Sequence, residues 1–364
     1  MKTGVYIHIP FCLRKCLYCD FVSFESKNFD EYFSALKKEI GLYKKILSEC
    51  EIDSIFIGGG TPSAVPESFI TDILKEFEPE RGAEITIEVN PKTVDLKKLL
   101  AYREAGINRI SIGMQSANDN ELKALGRIHN NDDFLNTFEA VRKAGFDNIN
   151  VDIMFGIPGQ TVSSFERTLG QVLDLDPTHI SAYSLIIEEN TPFYDMELDL
   201  PSEDAEREMY AAVLNNGCGY ERYEISNFCH KGYECRHNLK YWRFLPFLGF
   251  GLSAYSFFGG IRYNNHKNMS DYIKALDKGE KPVAFFERES KTELMKDYII
   301  TGMRLGEGIN FESFGKEFDV DFIKAYGETL SKYTAEGLII KTDEGIRFSD
   351  KGFEISNYIL KDFI

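Results

Sequence analysis

The sequence predicts an α/β protein: a partial (β/α)6 TIM-like barrel followed by a small C-terminal α+β domain of the winged-helix type. Short β-branched runs alternate with amphipathic helical stretches through the first half of the 364 residues. Gly106 and Gly145 each stand where a predicted helix ends and the next strand begins. The alternation stops near Pro201, and helical stretches followed by a hairpin pattern end the chain.

The predicted elements of the barrel are regular in length and order. The strands, each rich in β-branched and aromatic residues, are residues 5–9, 54–57, 84–89, 109–114, 148–154 and 179–187. The helices between them are residues 30–47, 67–77, 96–105, 132–144 and 164–173. Strict alternation implies parallel strands joined by right-handed crossovers, and six units form an open barrel rather than a closed one.

The remainder of the chain divides at two changes of pattern. The predicted domains are the barrel over residues 1–200, an aromatic and glycine-rich extension over 201–285, and the winged-helix-like domain over 286–364. The extension opens with a predicted helix over residues 202–215, capped by Ser202 and acidic in its first turn. Residues 338–341 and 345–349 form the predicted hairpin of the last domain.

Composition and charge narrow the classes of function. The formal net charge of -16, with a pI near 5.0, would repel phosphates, so we do not expect nucleic-acid binding, even by the wing. The N-terminus lacks a signal-peptide pattern. The apolar segment 244–260 is too short to span a bilayer and is interrupted by Pro246 and glycines, so we expect it to line a pocket. The sequence therefore predicts a cytoplasmic protein without a transmembrane segment.

Three of the seven cysteines, Cys12, Cys16 and Cys19, lie directly after the first predicted strand in the pattern C-x3-C-x2-C. A loop with this spacing can bring three thiolates onto one iron–sulfur cluster. A structural zinc site usually needs four protein ligands, and no fourth ligand stands at zinc-finger spacing. Three thiolates on a four-iron cluster leave one iron open, and an open iron can chelate a small molecule.

This spacing, its place after the first strand and the aromatic residue that follows resemble the radical S-adenosylmethionine superfamily. The resemblance implies a 4Fe–4S cluster whose open iron holds the amino and carboxylate groups of S-adenosylmethionine. It also implies that an electron from the cluster cleaves the sulfonium to a deoxyadenosyl radical.

Other residues stand at or near the carboxyl ends of successive predicted strands, the face where such barrels build their sites. The glycine triplet before Thr61 lets the backbone approach a ligand, and Glu88 in Glu-Val-Asn-Pro can hydrogen-bond it. Matched to the family residue by residue, the positions that bind S-adenosylmethionine and related groups are Tyr6, Gly59, Gly60, Thr61, Glu88, Gln115, Arg127 and Asp152.

The motifs GVYIHIPFC, GGGTP, SIGMQS and DIMFGIPGQT stand in an order that resembles one subgroup over residues 4–364. This subgroup contains the anaerobic coproporphyrinogen III oxidases and their relatives, the heme chaperones of the HemW type. Phe21 stands where the oxidases have a fourth cysteine, and only three residues precede Gly4, where the oxidases carry a long extension. Residues 237–242, HNLKYW, are similar to the HNxxYW signature of the chaperones.

These departures favour a heme chaperone that binds heme, a 4Fe–4S cluster and S-adenosylmethionine, and that passes heme to acceptor apo-hemoproteins. The alternative is oxidative decarboxylation of coproporphyrinogen III, so enzymatic activity stays open. A homodimer is implied by the resemblance alone, and transient contact with a membrane surface is left open.

His237 has two interpretations at this stage. A neutral imidazole is a common axial ligand of heme iron. The flat apolar surface for a porphyrin would come from Tyr241, Trp242, Phe244, Phe247 and Phe250. A structural histidine within a turn, with the aromatic residues as ordinary core, explains the same residues equally well. A further candidate metal set, at no recognised zinc spacing, is Cys229, His230, Cys235 and His237.

Overall fold

The computed structural model describes residues 1–215 and 218–363 of the chain. Its strands are β1 (Lys2–Ile9), β2 (Glu51–Gly59), β3 (Pro79–Val89), β4 (Arg109–Gln115), β5 (Asn148–Phe155), β6 (His179–Ser184), β7 (Glu221–Arg222), β8 (Asn227–Cys229), β9 (Phe247–Phe250), β10 (Tyr255–Phe258), β11 (Ile261–Asn265), β12 (Val283–Glu287), β13 (Ile309–Asn310), β14 (Ile339–Lys341) and β15 (Gly345–Phe348). Its α-helices are α1 (Phe29–Leu47), α2 (Glu67–Leu74), α3 (Leu96–Glu104), α4 (Asp119–Ala124), α5 (Asn131–Lys143), α6 (Val162–Leu175), α7 (Glu203–Leu214), α8 (Arg236–Trp242), α9 (Met269–Asp277), α10 (Lys291–Gly302), α11 (Phe311–Phe318), α12 (Phe322–Ala335), α13 (Asp350–Glu354) and α14 (Ser356–Leu360).

The core of the fold is a run of parallel strands in chain order, β1 to β6, as the alternation predicts. Because every crossover runs in the same direction and with the same hand, the connecting helices cover one face of the sheet and leave the other free. Alternate residues therefore have different surroundings: Ile55 and Ile57 of β2 are buried in the apolar core, whereas Phe56 between them stacks on Tyr6 of β1. The α/β prediction is confirmed, and the free face is where a site can form.

The boundaries of the predicted elements differ in detail from those observed. The strand predicted over residues 179–187 ends at Ser184, and β2 and β3 begin three and five residues earlier than predicted, at Glu51 and Pro79. The short helix α4 was not predicted. Its Asn118 cap accepts a hydrogen bond from the backbone of Asn120.

The segment after residue 200 extends the core sheet at both edges. Strand β9 pairs in parallel with β1, and β10, β11 and β12 follow it in antiparallel pairing. At the opposite edge β8 and β7 add to β6. These strands satisfy the backbone groups that the edges of a six-stranded sheet would leave unpaired. Strand β12 spans the predicted boundary between residues 285 and 286.

The last part of the chain has an apolar core of its own, which includes Ile299, Phe314 and Tyr333. Helices α10, α11 and α12 precede the β14–β15 hairpin, which pairs through β15 with β13, as the helix–hairpin pattern predicts. Within the two described stretches of chain, no helix has both the length and the apolar character required to cross a membrane.

Candidate functional site

The loop between β1 and α1 carries the three clustered cysteines. Its backbone folds back on itself, because Cys12 N–H donates to Phe24 O at 3.0 Å and Phe24 N–H donates to Pro10 O at 2.8 Å. It is also tied to the segment after α4, where Leu17 N–H donates to Leu125 O at 3.1 Å. The cysteines thus sit on a loop held at several points, next to the carboxyl ends of the core strands.

Two thiols of this loop receive hydrogen bonds from residues that follow β2 and α4. Thr61 Oγ1 donates to Cys12 Sγ at 3.6 Å, and Arg127 Nη1 donates to Cys16 Sγ at 3.5 Å. Burial raises the pKa of the Cys12 thiol, and it raises the pKa of Cys19 to about 11. Because burial disfavours the thiolates, a bound cationic group has to supply the compensating charge.

Among the described residues, no three metal-ligating side chains lie close enough to hold one metal ion. A 4Fe–4S cluster does not need such a set, because each thiolate binds a different iron of the cluster. Three partly buried cysteines that face a common cavity therefore fit a cluster better than they fit a single zinc ion.

The glycines after β2 are needed for close packing beside this loop. A Cβ on Gly60 would lie 2.8 Å from Phe11 O and 3.0 Å from Cys12 Sγ. Gly59 has a φ of +113°, and a Cβ there would lie 2.7 Å from the His8 ring. A side chain at position 60 would push the cysteine loop away from the sheet, and one at position 59 would collide with His8 on β1.

The three cysteines open onto a cavity of about 500 Å³, which we call the cluster cavity. The sequence-predicted residues that line it, besides the cysteines, are Gly59, Gly60, Thr61, Glu88, Gln115, Arg127 and Asp152. The structure thus brings together residues from five successive strand ends. Tyr6 is the exception, since it lies in a second cavity described below.

A hydrogen-bond network joins the walls of the cluster cavity. Arg127 Nη2 donates to Asn90 Oδ1 at 2.7 Å and to Gly113 O at 2.6 Å, and Asn90 Nδ2 donates to Thr61 Oγ1 at 2.9 Å. Asn90 therefore connects the groups that contact Cys12 and Cys16. No sequence pattern singles out Asn90, although it stands two residues after Glu88 in the same motif.

Two carboxyl groups face the cavity and influence each other. Gly59 N–H donates to Glu88 Oε2 at 3.2 Å. Burial, and then the charge of Asp152, raises the pKa of Glu88 to about 8. Burial also raises the pKa of Asp152, although Asn150 Nδ2 donates to its Oδ1 at 2.6 Å. The cavity is therefore poised to receive positive charge, since a cation would stabilise both carboxylates.

Gln115 adopts a strained backbone at the end of β4. Its φ of +69° is unusual for a residue with a side chain and costs on the order of 1–2 kcal/mol. Tyr183 at the end of β6 donates from its hydroxyl to Gln115 Oε1 at 2.8 Å, which holds the amide toward the cavity. Tyr183 also lines the cavity. The sequence does not predict this role, because an isolated tyrosine in a predicted strand does not indicate a binding site.

A second cavity of about 590 Å³ adjoins the first. We call it the aromatic cavity, after the side chains Tyr6, Tyr241, Phe244, Phe247, Tyr255 and Phe257 that line it. Asp20 and Phe21 line both cavities. The predicted pocket role of the segment 244–260 is consistent with this lining, since four of these aromatic residues belong to the segment.

His237 does not present a nitrogen to either cavity. Its ring is fully buried, with Nδ1 3.0 Å from Ser54 Oγ and Nε2 2.8 Å from the Tyr241 hydroxyl, and it stacks on Phe56. Burial lowers the pKa of His237 to about 3, so the ring is neutral. Of the two interpretations, the structural one is favoured, because in this conformation both ring nitrogens of His237 already have hydrogen-bond partners.

The other residues of the HNLKYW segment, residues 237–242, face different parts of the molecule. Asn238 lines the cluster cavity, and Tyr241 lines the aromatic cavity. Trp242 instead faces a groove toward the C-terminal helices, near Arg304, and Phe250 is buried against Tyr43 on the helix-covered face. Trp242 and Phe250 are thus wrongly predicted as parts of a porphyrin surface.

The second candidate metal set is also wrong. The described residues contain no metal-ligating group of three that includes any of its members. His230 contacts Asp176 at 3.1 Å, and the Cys235 thiol donates to Glu84 at 3.5 Å, so these side chains have structural partners instead.

Comparison with known proteins identifies the relatives of this chain. Residues 6–172 match the Radical SAM superfamily, and residues 290–355 match the HemN C-terminal domain. The heme chaperone HemW of Bacillus subtilis is 33% identical over 100% of this chain and 99% of its own length. The heme chaperone HemW of Lactococcus lactis is 34% identical over 100% and 97%. The structure of coproporphyrinogen III oxidase (HemN) from Escherichia coli shares the fold, with a TM-score of 0.87 at 23% identity over 100% of this chain and 89% of that one.

Proposed function

Because the chain belongs to the HemW family within the radical S-adenosylmethionine superfamily, we propose that it is a heme chaperone that transfers heme to apo-hemoproteins. The observation that carries the proposal is the full-length similarity to relatives described as heme chaperones. Likeness to the oxidase at 23% identity supports a common fold and adds nothing to the oxidase alternative.

Membership of the superfamily implies a 4Fe–4S cluster and S-adenosylmethionine. In our proposal Cys12, Cys16 and Cys19 hold the cluster. When bound, a cluster with one open iron supplies a chelating site for S-adenosylmethionine and an electron for its sulfonium. The protein's part is to hold the three thiolates apart on one loop, with Thr61 and Arg127 as hydrogen-bond donors to two of them.

The remaining cavity residues would receive S-adenosylmethionine. The glycines Gly59 and Gly60 line the cavity and would face the amino acid portion of this ligand, and Glu88 and Asp152 offer negative charge to its cationic groups. Gln115 and Arg127 supply polar groups held by Tyr183 and Asn90. Tyr6, on the aromatic side, would contact the ligand only where the two cavities meet.

Phe21 supports a chaperone over an oxidase. It stands where the related oxidases carry a fourth cysteine, and its side chain is 59% exposed between the two cavities. An oxidase must orient a flexible tetrapyrrole for reaction at one hydrogen, and precise orientation supplies much of such catalysis. A protein that carries heme needs affinity and release, which an apolar wall provides.

The test is a pair of measurements on one preparation. Cluster-loaded protein would receive coproporphyrinogen III, S-adenosylmethionine and a reductant under anaerobic conditions, and decarboxylated product would be quantified. The same preparation would be titrated with hemin and then mixed with an apo-hemoprotein. We expect no decarboxylation, saturable hemin binding and transfer of heme. Product formation would establish an oxidase, and failure to bind hemin would refute the chaperone.

A further inference from the structure

The floor of the aromatic cavity is a continuous face of the extended sheet. Tyr255 and Phe257 stand on either side of the buried Ser256 in β10 and so lie on one face of that strand. Phe257 is paired with Phe247 of β9 and with Arg262 of β11, which places all three side chains on the same side. The face continues across β9 to Tyr6 on β1, which pairs with Gly249.

The shape and lining of this cavity suit a flat apolar ligand. Its volume of about 590 Å³ lies within the range of roughly 300–1,000 Å³ common for small-molecule sites. The Phe244 ring packs 4.5 Å from Phe257, and the Tyr241 ring meets Phe247 edge-on at 4.6 Å, so aromatic surfaces form both floor and wall. A porphyrin has the matching surface, a broad plane with polar groups at one edge only.

The hydroxyl groups of the cavity differ in their partners. The Tyr6 hydroxyl lies 3.1 Å from His8 Nδ1, and the Tyr241 hydroxyl lies 2.8 Å from His237 Nε2. His8 is also engaged at its other nitrogen, which is 2.8 Å from Val22 O. Tyr255 is 51% exposed and, within residues 1–215 and 218–363, its hydroxyl makes no hydrogen bond. Tyr255 is therefore the tyrosine of this cavity with an oxygen available to a ligand.

The basic side chains that line the aromatic cavity also differ in whether they have a partner. Lys240 is buried and pairs with Asp53 at 2.7 Å, while Arg262 pairs with Glu289 at 3.1 Å and with Asp297 at 2.5 Å. Lys267 is exposed at the cavity and, in the described part of the chain, forms no ion pair. In a protein with a net charge of -16, an unpaired lysine is a favourable contact for a ligand carboxylate.

We propose that the aromatic cavity binds ferric heme, with the Tyr255 oxygen as an iron ligand and Lys267 at a propionate. This rests on the proposed heme chaperone function and assigns its heme site. Tyrosinate is a known axial ligand of ferric heme. The phenol loses its proton to solvent when it ligates the iron, which the exposed position of Tyr255 permits. Heme and the cluster would thus occupy separate cavities that meet at Asp20 and Phe21.

The first experiment compares cluster-loaded wild type with Tyr255→Phe, which keeps the ring and removes the oxygen. Each would be titrated with hemin under anaerobic conditions and measured by difference absorption and electron paramagnetic resonance. We expect at least a roughly tenfold weaker affinity in the variant, with loss of the ferric tyrosinate spectrum. Tyr358→Phe removes a hydroxyl that is similarly exposed, at 52%, in the C-terminal domain, and should behave as wild type.

The second experiment tests the propionate contact. Lys267→Glu should weaken hemin binding without changing the iron spectrum, and hemin dimethyl ester should bind both proteins equally because its propionates carry no charge. Wild type that binds hemin, together with a Tyr255→Phe protein of equal affinity and spectrum, would overturn this assignment and leave the chaperone function standing. Wild type that binds no hemin would overturn both.

Discussion

The cluster cavity and the aromatic cavity lie side by side on one face of the sheet, yet they are built from different strands and different chemistry. The first lies at the carboxyl ends of the parallel strands from β1 to β6, and its walls are thiols, carboxyls, amides and glycines. The second lies on β1 and the added strands β9, β10 and β11, and its walls are aromatic rings.

The difference shows how one sheet can supply two kinds of site. In the cluster cavity most polar groups come from strand ends, and they are held by neighbouring polar groups, as Asn90 after β3 holds Arg127 after α4. In the aromatic cavity the groups stand along the strands, and antiparallel pairing brings rings such as Phe247 and Phe257 together. Strand ends produce convergent polar groups, whereas strand faces produce a flat surface.

The largest effect should come from Cys16→Ala, which tests whether the cavities act separately. With two thiolates remaining, we expect the iron content of anaerobically reconstituted protein to fall close to zero. Hemin affinity should stay within about twofold of wild type, because Cys16 does not line the aromatic cavity. Cys50→Ala removes a cysteine outside both cavities and is the control. A fully loaded cluster in Cys16→Ala would contradict the cysteine assignment.

The next effect concerns His237, which is buried and lines neither cavity. His237→Ala should lower the free energy of unfolding by about 3 kcal/mol, because it leaves a cavity beside Phe56 and removes a partner of buried Ser54. Urea unfolding measures this loss, and the heme spectrum of the folded protein should not change. His230→Ala, at a partly exposed histidine paired with Asp176, should cost less than about 1 kcal/mol. A changed iron spectrum in His237→Ala would restore His237 as a ligand.

A smaller effect should appear in the pH dependence of the cluster cavity. The pKa of Glu88 is raised to about 8, so this carboxyl group is mainly neutral at pH 7. A ligand with a positive sulfonium favours the carboxylate and should release a proton on binding. Affinity for S-adenosylmethionine should therefore rise by up to roughly tenfold per pH unit below pH 8 and level off above it. Calorimetry in buffers of different ionisation enthalpy measures the proton released.

Glu88→Gln is the matched variant for this pH dependence. It keeps an oxygen that can accept the Gly59 N–H hydrogen bond and removes the titrating group. The pH dependence assigned to Glu88 should then disappear. An unchanged slope in this variant would assign the proton to another group, and hemin affinity should be independent of Glu88 in either case.

The smallest expected effect is on the ligand affinities of a variant at Phe21, which lines both cavities. Phe21→Ala should weaken both S-adenosylmethionine and hemin by roughly threefold to tenfold, because the ring lines both cavities. Phe24→Ala truncates a ring on the same loop that lines neither and should change neither affinity. If Phe21→Ala weakens the binding of only one ligand, Phe21 contributes to only one cavity, and the two cavities are more separate than their shared lining indicates.

The sequence predicted the cluster cavity well because its signals are local. Cysteine spacing, a glycine triplet and polar residues at successive strand ends can each be recognised within a few residues, and parallel strands bring their ends together. Asn90 and Tyr183 could not be predicted as cavity residues, because a single polar residue has no sequence pattern of its own. They acquire meaning only from partners, Arg127 and Gln115, that lie far away in the sequence.

The aromatic cavity could not be derived in the same way. It depends on β9 joining the edge of the sheet beside β1, with Phe247 paired to Gly4, and no local pattern encodes that pairing. The same non-local register separates Trp242 and Phe250 from the aromatic residues that line the cavity. His237 was ambiguous for a related reason, since its partner Ser54 lies on β2.

The wall formed by Asp20 and Phe21 has a thermodynamic consequence. If a ligand in one cavity favours one position of this pair, the pair transmits a coupling free energy to the other cavity, and linkage makes that coupling reciprocal. The factor by which S-adenosylmethionine changes heme affinity must equal the factor by which heme changes S-adenosylmethionine affinity. A coupling of about 1.4 kcal/mol changes each affinity tenfold. The binding of S-adenosylmethionine would then set when heme is held and when it is released.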